Sequence, residues 1–336
     1  MNNKFFPSNF LFISIMALGT LLSLSSSHWL TMWMGLELNL MGFLPLMNIK
    51  GKTLEAEASM KYFIVQSMSS SVLIFSSIMM YIDKLTWYSM FNTSTSILML
   101  LSLVLKLGGA PMHFWLPNIS KQMSWSILFL LLTWQKLAPL FMLSLMNSNF
   151  SMIMVTSLLS TLMGSVMALN QTNLQLIITY SSISHLGWMM SMILINNSMS
   201  LFYFINYVII SIPLLHLISS EVGSHMFMLT HKNNINNMVI ISLILSLAGL
   251  PPLLGFMSKL LILISLINMK LLILPLFLLL GTLISLYFYL NMSLMLMVKS
   301  YSMFKTSKTN KNYKSLISLN LMSSFIIYPI IMMFIN

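Results

Sequence analysis

The chain has no cysteine and no arginine, and only five of its 336 residues are acidic. Without cysteine, disulfides, thiolate metal sites and cysteine-ligated iron–sulfur clusters are excluded. Only 6% of the residues are charged, whereas soluble domains carry about 25%. The sequence also has no glycine-rich nucleotide fingerprint. What it does have is apolar: 58% of the residues are hydrophobic and the mean hydropathy is +0.90, which indicates a membrane protein.

Apolar runs long enough to cross a bilayer recur along the whole sequence. Because a spanning helix needs about 20 mostly apolar residues, the pattern predicts an all-α polytopic membrane protein with about eleven transmembrane helices. We expect residues 1–336 to form a single transmembrane domain. The first run is interpreted as a helix rather than a signal peptide, because further spans follow it. The predicted spans are 5–26, 29–48, 59–81, 94–121, 124–146, 151–169, 174–194, 200–223, 235–269, 272–298 and 315–335.

The lysines are unevenly distributed over the predicted loops. Only Lys84 and Lys270 fall on the face opposite the N-terminus. Positive loops mark the cytoplasmic side, or its mitochondrial counterpart. We therefore expect the N-terminus to lie on this side, which is the cytoplasm or the matrix, and the C-terminus on the opposite side, which in a mitochondrion is the intermembrane space. Lysines on the N-terminal face are Lys4, Lys50, Lys52, Lys61, Lys121, Lys232, Lys299, Lys305, Lys308, Lys311 and Lys314.

Two of the predicted spans contain clustered helix breakers. In 94–121 the breakers are Gly108, Gly109 and Pro111, and in 235–269 they are Gly249, Pro251, Pro252 and Gly255. Proline and glycine interrupt helices, and the freed backbone groups are tolerated in a membrane only within protein or beside water. Broken helices in the two halves of a transporter are typical of inverted repeats around a path near the middle of the membrane.

Four ionisable residues lie within the predicted spans: Glu37, Lys106, Lys136 and Lys259. A charge at the centre of the bilayer costs about 2.5–3.5 kcal/mol even on the lenient insertion scale. A lysine near a helix end can snorkel to the interface, and Glu37 and Lys106 can form a purely structural ion pair. We favour a third interpretation, a buried proton relay, because a moving carboxylate changes how strongly a buried lysine holds its proton.

A histidine follows the first break directly. Histidine as a residue type can both accept and donate a proton near neutral pH, so His113 is suited to a relay that starts at Lys106. A structural histidine with satisfied hydrogen bonds remains an equally good interpretation from the sequence alone.

Several segments resemble a known family. The stretches GLELNLMGFLPLM, EASMKYFIVQS, LKLGGAPMHFWLP, TWQKLAPLF, ITYSSISHLGWMM and LAGLPPLLGFMSK occur in this order. Together they resemble subunit 2 of mitochondrial NADH dehydrogenase, an antiporter-like subunit family of respiratory complex I. Related subunits usually have three helices ahead of the one that carries the glutamate. Glu37 lies in the second predicted span here, as in the shortened animal form.

The resemblance implies a role for six residues. Glu37, Lys106, His113, Lys136, His185 and Lys259 match the proton-relay positions of the family. The implied function is proton translocation from matrix to intermembrane space within NADH:ubiquinone oxidoreductase, in the mitochondrial inner membrane. No cofactor is expected in this chain, since NADH, FMN, iron–sulfur clusters and ubiquinone belong to other subunits.

The resemblance also implies partners. These are a larger antiporter-like neighbour, small core membrane subunits, accessory subunits and phospholipids, with no nucleic acid. Two rival functions stay open: a cation/proton antiporter component, and a passive structural subunit of the membrane arm.

Other polar residues are assigned simpler roles. His216 and Glu221 lie five residues apart and do not share a helical face well, so we expect His216 to be a packing residue. His225 and His231 lack the cysteine or carboxylate neighbours of a metal site. We expect Glu55 and Glu57 to lie in a solvated loop on the matrix side. The lysine-rich segment 299–314 is interpreted as a topology determinant, with contact to anionic lipid as the alternative.

Overall fold

The fold is described from a computed structural model, which places residues 7–49, 51–85, 92–146, 150–219, 234–251 and 253–303. These residues form helices joined by short turns, and the prediction of an all-α membrane protein is confirmed. The helices are α1 (Pro7–Ser25), α2 (Trp29–Met47), α3 (Thr53–Leu85), α4 (Asn92–Leu107), α5 (Trp115–Ser120), α6 (Trp125–Leu132), α7 (Trp134–Leu145), α8 (Phe150–Ala168), α9 (Leu174–Ile193), α10 (Asn197–Ser219), α11 (Asn234–Ala248), α12 (Leu254–Asn268) and α13 (Ile273–Met303).

The helices are long and apolar enough for a polytopic membrane protein. In the part of the chain that the structure describes, eight helical stretches have the length and hydropathy of a membrane span, and three shorter apolar helices accompany them. Ten of the eleven predicted spans coincide with these helices, whereas the span predicted at 315–335 lies outside the described residues.

Two sequence expectations need correction. Residues 124–146 do not form one continuous helix. Helix α6 ends at Leu132 and α7 begins at Trp134, so the helix is interrupted at Thr133. The second correction concerns Glu55 and Glu57, which lie in the first turns of α3 and not in a loop. Helix α3 has 33 residues and is about 50 Å long. The hydrocarbon core is only about 30 Å thick, so part of α3 extends beyond it.

The chain divides into two compact units, Met1–Thr156 and Ser157–Asn336. In the first unit α1 and α2 pack with their backbones in contact: a Cβ added at Gly35 would lie 2.6 Å from the Ser23 nitrogen, and one at Gly19 would lie 2.5 Å from the Asn39 nitrogen. Small residues permit this close approach, which is typical of helix pairs in membranes.

The second unit is built around α9. Between Leu174 and Met192 nearly every side chain of this helix is buried, and α10, α12 and α13 pack against it. Its serines do not leave hydroxyls unsatisfied, because they donate to carbonyls three residues earlier; Ser182 Oγ, for example, donates to the Thr179 oxygen at 2.7 Å. Such local hydrogen bonds allow a polar residue to be buried in an apolar helix.

Candidate functional site

The first interruption lies between α4 and α5 and places Lys106 one residue before the end of α4. Gly108 follows with a φ of +71°, a backbone conformation that favours glycine. A Cβ at this position would also lie 2.6 Å from Leu116 Cδ1. The glycine therefore permits both the turn and the close approach of α5. The side chain of Lys106 is buried, with 7% of its surface exposed.

The last carbonyl groups of α4 have no partner within the helix, and side chains from other segments satisfy two of them. Trp115 Nε1 donates to the Leu105 oxygen at 3.0 Å. Gln66 Nε2, on α3, donates to the Lys106 oxygen at 3.4 Å. Because a helix end inside a membrane must find such donors, these two side chains stabilise the broken backbone beside Lys106.

Glu37 acts on Lys106 electrostatically. The Glu37 carboxylate on α2 is half-buried, and its charge interacts with that of the Lys106 ammonium. Among the described residues the ion pair closer than 4.0 Å is Lys61–Glu57 on α3. Glu37 and Lys106 therefore interact at longer range than a direct salt bridge.

His113 lies within the interruption itself. Its ring is buried, with 1% of the residue surface exposed. The Nδ1 atom is 3.3 Å from the Pro111 oxygen, and the imidazole stacks on the ring of Phe114 at 4.4 Å between centroids. This geometry suits a structural histidine that is fixed by its neighbours Pro111 and Phe114. It equally suits a histidine that exchanges a proton through Nε2, the ring nitrogen that does not face Pro111.

Lys136 lies in the first turn of α7, directly after the interruption at Thr133. It is 2% exposed, and its backbone nitrogen donates to the Thr133 oxygen at 3.2 Å. At the end of α6 the Phe129 oxygen accepts from both the backbone nitrogen of Thr133, at 3.0 Å, and its Oγ1, at 2.7 Å. The lysine thus lies at a third helix interruption, and neither glycine nor proline marks this one at residue 133.

The second unit contains His185 and Lys259. His185 on α9 is 6% exposed, and its Nδ1 lies 2.8 Å from the hydroxyl of Tyr203 on α10. The ring of Tyr207 is 5.3 Å away between centroids. Sequence reasoning missed both tyrosines, although they recur every four residues on the buried face of α10.

Lys259 holds the end of α11. Its ammonium donates to the Leu247 oxygen at 3.2 Å and to the Ala248 oxygen at 2.9 Å. A Cβ at Gly249 would lie 2.9 Å from Lys259 Nζ, so the glycine leaves the space that the lysine fills. A cation at the C-terminal end of a helix is favourable because the carbonyl groups there carry partial negative charge.

A small cavity of about 10 Å³ connects His185 to this region, and its volume suits about one water molecule. Residues lining it are His185, Tyr203, Tyr207, Ile210, Ser246, Leu247, Gly255 and Ser258. The Leu247 carbonyl that receives the Lys259 bond thus belongs to a residue of the cavity wall. In the described ranges, no group of three or more His, Asp or Glu side chains is arranged to hold a metal ion.

The six predicted residues therefore fall into two groups. The structure brings Glu37 and Lys106 within electrostatic range in the first unit, which also contains His113 and Lys136. In the second unit, His185 and Lys259 approach the same cavity wall. The partners that sequence reasoning missed are Gln66, Trp115, Tyr203 and Tyr207.

The fold and these buried groups define a class of membrane protein. The family described as NADH:quinone oxidoreductase/Mrp antiporter, transmembrane, matches residues 26–285. The chain belongs to this family.

Within the family the similarity is narrower. The chain is 38% identical over 326 residues to the NADH-ubiquinone oxidoreductase chain 2 of Anopheles gambiae, covering 95% of this chain and 94% of that protein. It is 40% identical over 281 residues to the chain 2 protein of Didelphis virginiana, covering 82% of this chain and 81% of that one. A chain of respiratory complex I from Thermus thermophilus has the same fold, with a TM-score of 0.83 at 21% identity, covering 97% of this chain and 78% of that one.

Proposed function

We propose that the chain is a proton-translocating subunit of the membrane arm of NADH:ubiquinone oxidoreductase in the mitochondrial inner membrane. The similarity to NADH-ubiquinone oxidoreductase chain 2 supports the assignment to this complex. Redox chemistry and its cofactors would belong to other subunits. This subunit would move protons from the matrix to the intermembrane space, alongside other subunits of the membrane arm.

The observation that carries the proposal is the burial of three lysines in apolar helices. Lys106, Lys136 and Lys259 are 7%, 2% and 7% exposed. A buried ammonium is expensive, so a chain that keeps three of them has a use for the charge. Each lies in the last or first turns of a helix beside an interruption, where the backbone can admit water.

The proposed roles follow from these positions. Glu37 changes the local field at Lys106, and Lys106 and Lys136 accept and release protons within the first unit. His185 and Lys259 serve the second unit. His113 and His185 are the neutral-pH carriers, because imidazole can both accept and donate a proton.

Replacing Lys136 tests the proposal. Lys136→Met keeps the length and apolar stem of the side chain but removes the ammonium group. Since positioned acid–base groups contribute about 10²-fold or more to the step they serve, we expect the reconstituted complex to lose the share of coupled proton translocation that this subunit carries, while the other subunits keep theirs. Dye quenching in proteoliposomes, measured against NADH oxidation, gives the ratio of protons to electrons.

The matched control is Lys121→Met, because Lys121 is exposed in the turn after α5. It should translocate protons as the unmodified complex does. An unchanged ratio of protons to electrons in the Lys136→Met complex would contradict the proposal.

A passive structural role is the second candidate, and the hydrogen bonds of Lys259 favour it. The ammonium satisfies two carbonyl groups at the end of α11, which is a sufficient structural reason to keep a lysine there. Under this alternative, neutral replacements at Lys106 and Lys136 preserve proton translocation in every complex that assembles.

A further inference from the structure

A reciprocal pair of amides joins α2 to α7 inside the first unit. Asn39 Nδ2 donates to Gln135 Oε1 at 2.8 Å, and Gln135 Nε2 donates to Asn39 Oδ1 at 3.1 Å. Asn39 is 3% exposed. Because each amide both donates and accepts, the pair fixes the distance and the relative orientation of the two helices at this point.

The pair lies beside the ionisable residues of both helices. Asn39 follows Glu37 by two residues on α2, and Gln135 directly precedes Lys136 on α7. Helix α7 begins at Trp134, just after the interruption at Thr133. The backbone N–H groups of a first helical turn have no partners within the helix, so contacts to other helices weigh heavily in placing this turn.

Tyr62 on α3 extends the pair towards the first interruption. Its hydroxyl donates to Gln135 Oε1 at 3.4 Å. The ring packs edge-on against Phe43 at 5.3 Å and lies 5.9 Å from the ring of Trp115. Trp115 in turn binds the Leu105 carbonyl. One set of contacts thus connects Lys136 on α7 with the backbone beside Lys106 on α4.

We propose that the Asn39–Gln135 pair, the amide clamp, is a positioning element for proton transfer at Lys136. It holds the first turn of α7 against α2, so that a displacement of the helix carrying Glu37 is transmitted to Lys136. Separating the two amides would leave buried polar groups without partners, which is costly, and the two helices therefore move together here. The inference rests on the proposed function, since it needs Lys136 to carry protons.

An apolar replacement tests the clamp. In Asn39→Leu/Gln135→Met both amides are exchanged for apolar side chains of similar size, and such paired exchanges can be nearly neutral for stability. The buried Tyr62 hydroxyl loses its 3.4 Å hydrogen bond to Gln135 in this variant, so Tyr62→Phe is added to remove that hydroxyl as well. We expect normal assembly of the complex. Since misplacing a reacting group by about 1 Å can cost about 10²-fold, we expect the protons translocated per NADH oxidised to fall as far as in the Lys136→Met complex.

An exchange variant provides the rescue. Asn39→Gln/Gln135→Asn keeps the summed length of the two side chains and the reciprocal pattern of donors and acceptors. It should restore most of the lost translocation. Quantitative native gels measure the assembled complex, and proteoliposome assays normalised to it measure translocation.

Three results would overturn the inference: wild-type translocation by the apolar variant, its failure to assemble, or an assembled exchange variant that restores nothing. The Lys136→Met complex separates the two proposals. If it loses translocation while the apolar variant keeps it, the clamp is wrong and the proposed function stands. If both keep it, the proposed function is wrong as well.

Discussion

Three polar side chains of this protein bind carbonyl groups at the ends of interrupted helices, whereas its buried serines donate within their own helices. Trp115 and Gln66 bind carbonyls at the end of α4, and Lys259 binds carbonyls at the end of α11. Charge and hydropathy along the sequence suffice to single out the lysines. Partners of buried polar groups can lie far away in sequence, as Asn39 and Gln135 do at a separation of 96 positions, so no local pattern reveals them.

His185 offers a prediction for a single hydroxyl group. Tyr203→Phe keeps the ring and removes the oxygen that lies 2.8 Å from His185 Nδ1. The lost hydrogen bond should lower stability by about 1 kcal/mol and free the imidazole to change tautomer. We expect assembled complex in near-normal amount with slower proton translocation, measured by dye quenching.

The control for this residue is Tyr287→Phe on α13, because Tyr287 is 61% exposed and its hydroxyl lies outside the cavity wall. Equal translocation in the two variants would show that the Tyr203 hydroxyl contributes nothing to proton transfer.

At the level of helices, glycine and proline account for the interruptions after α4 and α11, since these residues break hydrogen-bond ladders wherever they stand. Near the interruption at Thr133, Pro139 lies within α7 and cannot donate to the carbonyl of Gln135, four residues earlier. Residues 131–135 read LLTWQ, which is compatible with an uninterrupted helix, and the contacts of Gln135 with α2 and α3 accompany the break. Tertiary contacts such as these are invisible to a local sequence pattern. Helix α3 begins at Thr53, before the predicted start at residue 59. The sequence does not reveal this because the first turns of α3 are charged, as surface loops commonly are.

The packing of α12 on α11 gives a prediction at this level. A Cβ at Gly255 would overlap the backbone oxygen of Ser246. This atom cannot move away by a change of side-chain rotamer. Gly255→Ala should therefore push the two helices apart, at a cost of about 3 kcal/mol or more, the upper end of the range for an overpacked core. We expect the amount of assembled complex on native gels to fall sharply.

Gly51→Ala is the matched control. A Cβ at Gly51 meets no atom within 4 Å, although its φ of +62° is unfavourable for alanine. The variant should lose about 1–2 kcal/mol and still assemble. Normal assembly of Gly255→Ala would show that the end of α11 can move.

For the whole molecule, the lysine distribution predicts an orientation that can be measured. The chain contains no cysteine, so a single introduced thiol reports on one loop. Lys52→Cys, before α3, should react with a membrane-impermeant maleimide only from the matrix side. Ser198→Cys, at the start of α10, should react only from the intermembrane space. Both positions are exposed.

Labelling intact mitoplasts and inverted vesicles, followed by mass analysis of this chain, distinguishes the two sides. Reaction of both thiols from the same side would contradict the predicted number of spans between them. Reaction of each from the opposite side would reverse the orientation and leave that number intact.

The contact of Lys259 with α11 has a consequence for how this site changes charge. An ammonium carries three N–H groups, and two of them bind the Leu247 and Ala248 oxygens. A neutral amine still carries two. The nitrogen can therefore lose its third hydrogen as a proton while both hydrogen bonds to α11 remain in place. Protonation and deprotonation of Lys259 would therefore need no helix movement. Only the strength of its two hydrogen bonds to α11 would change.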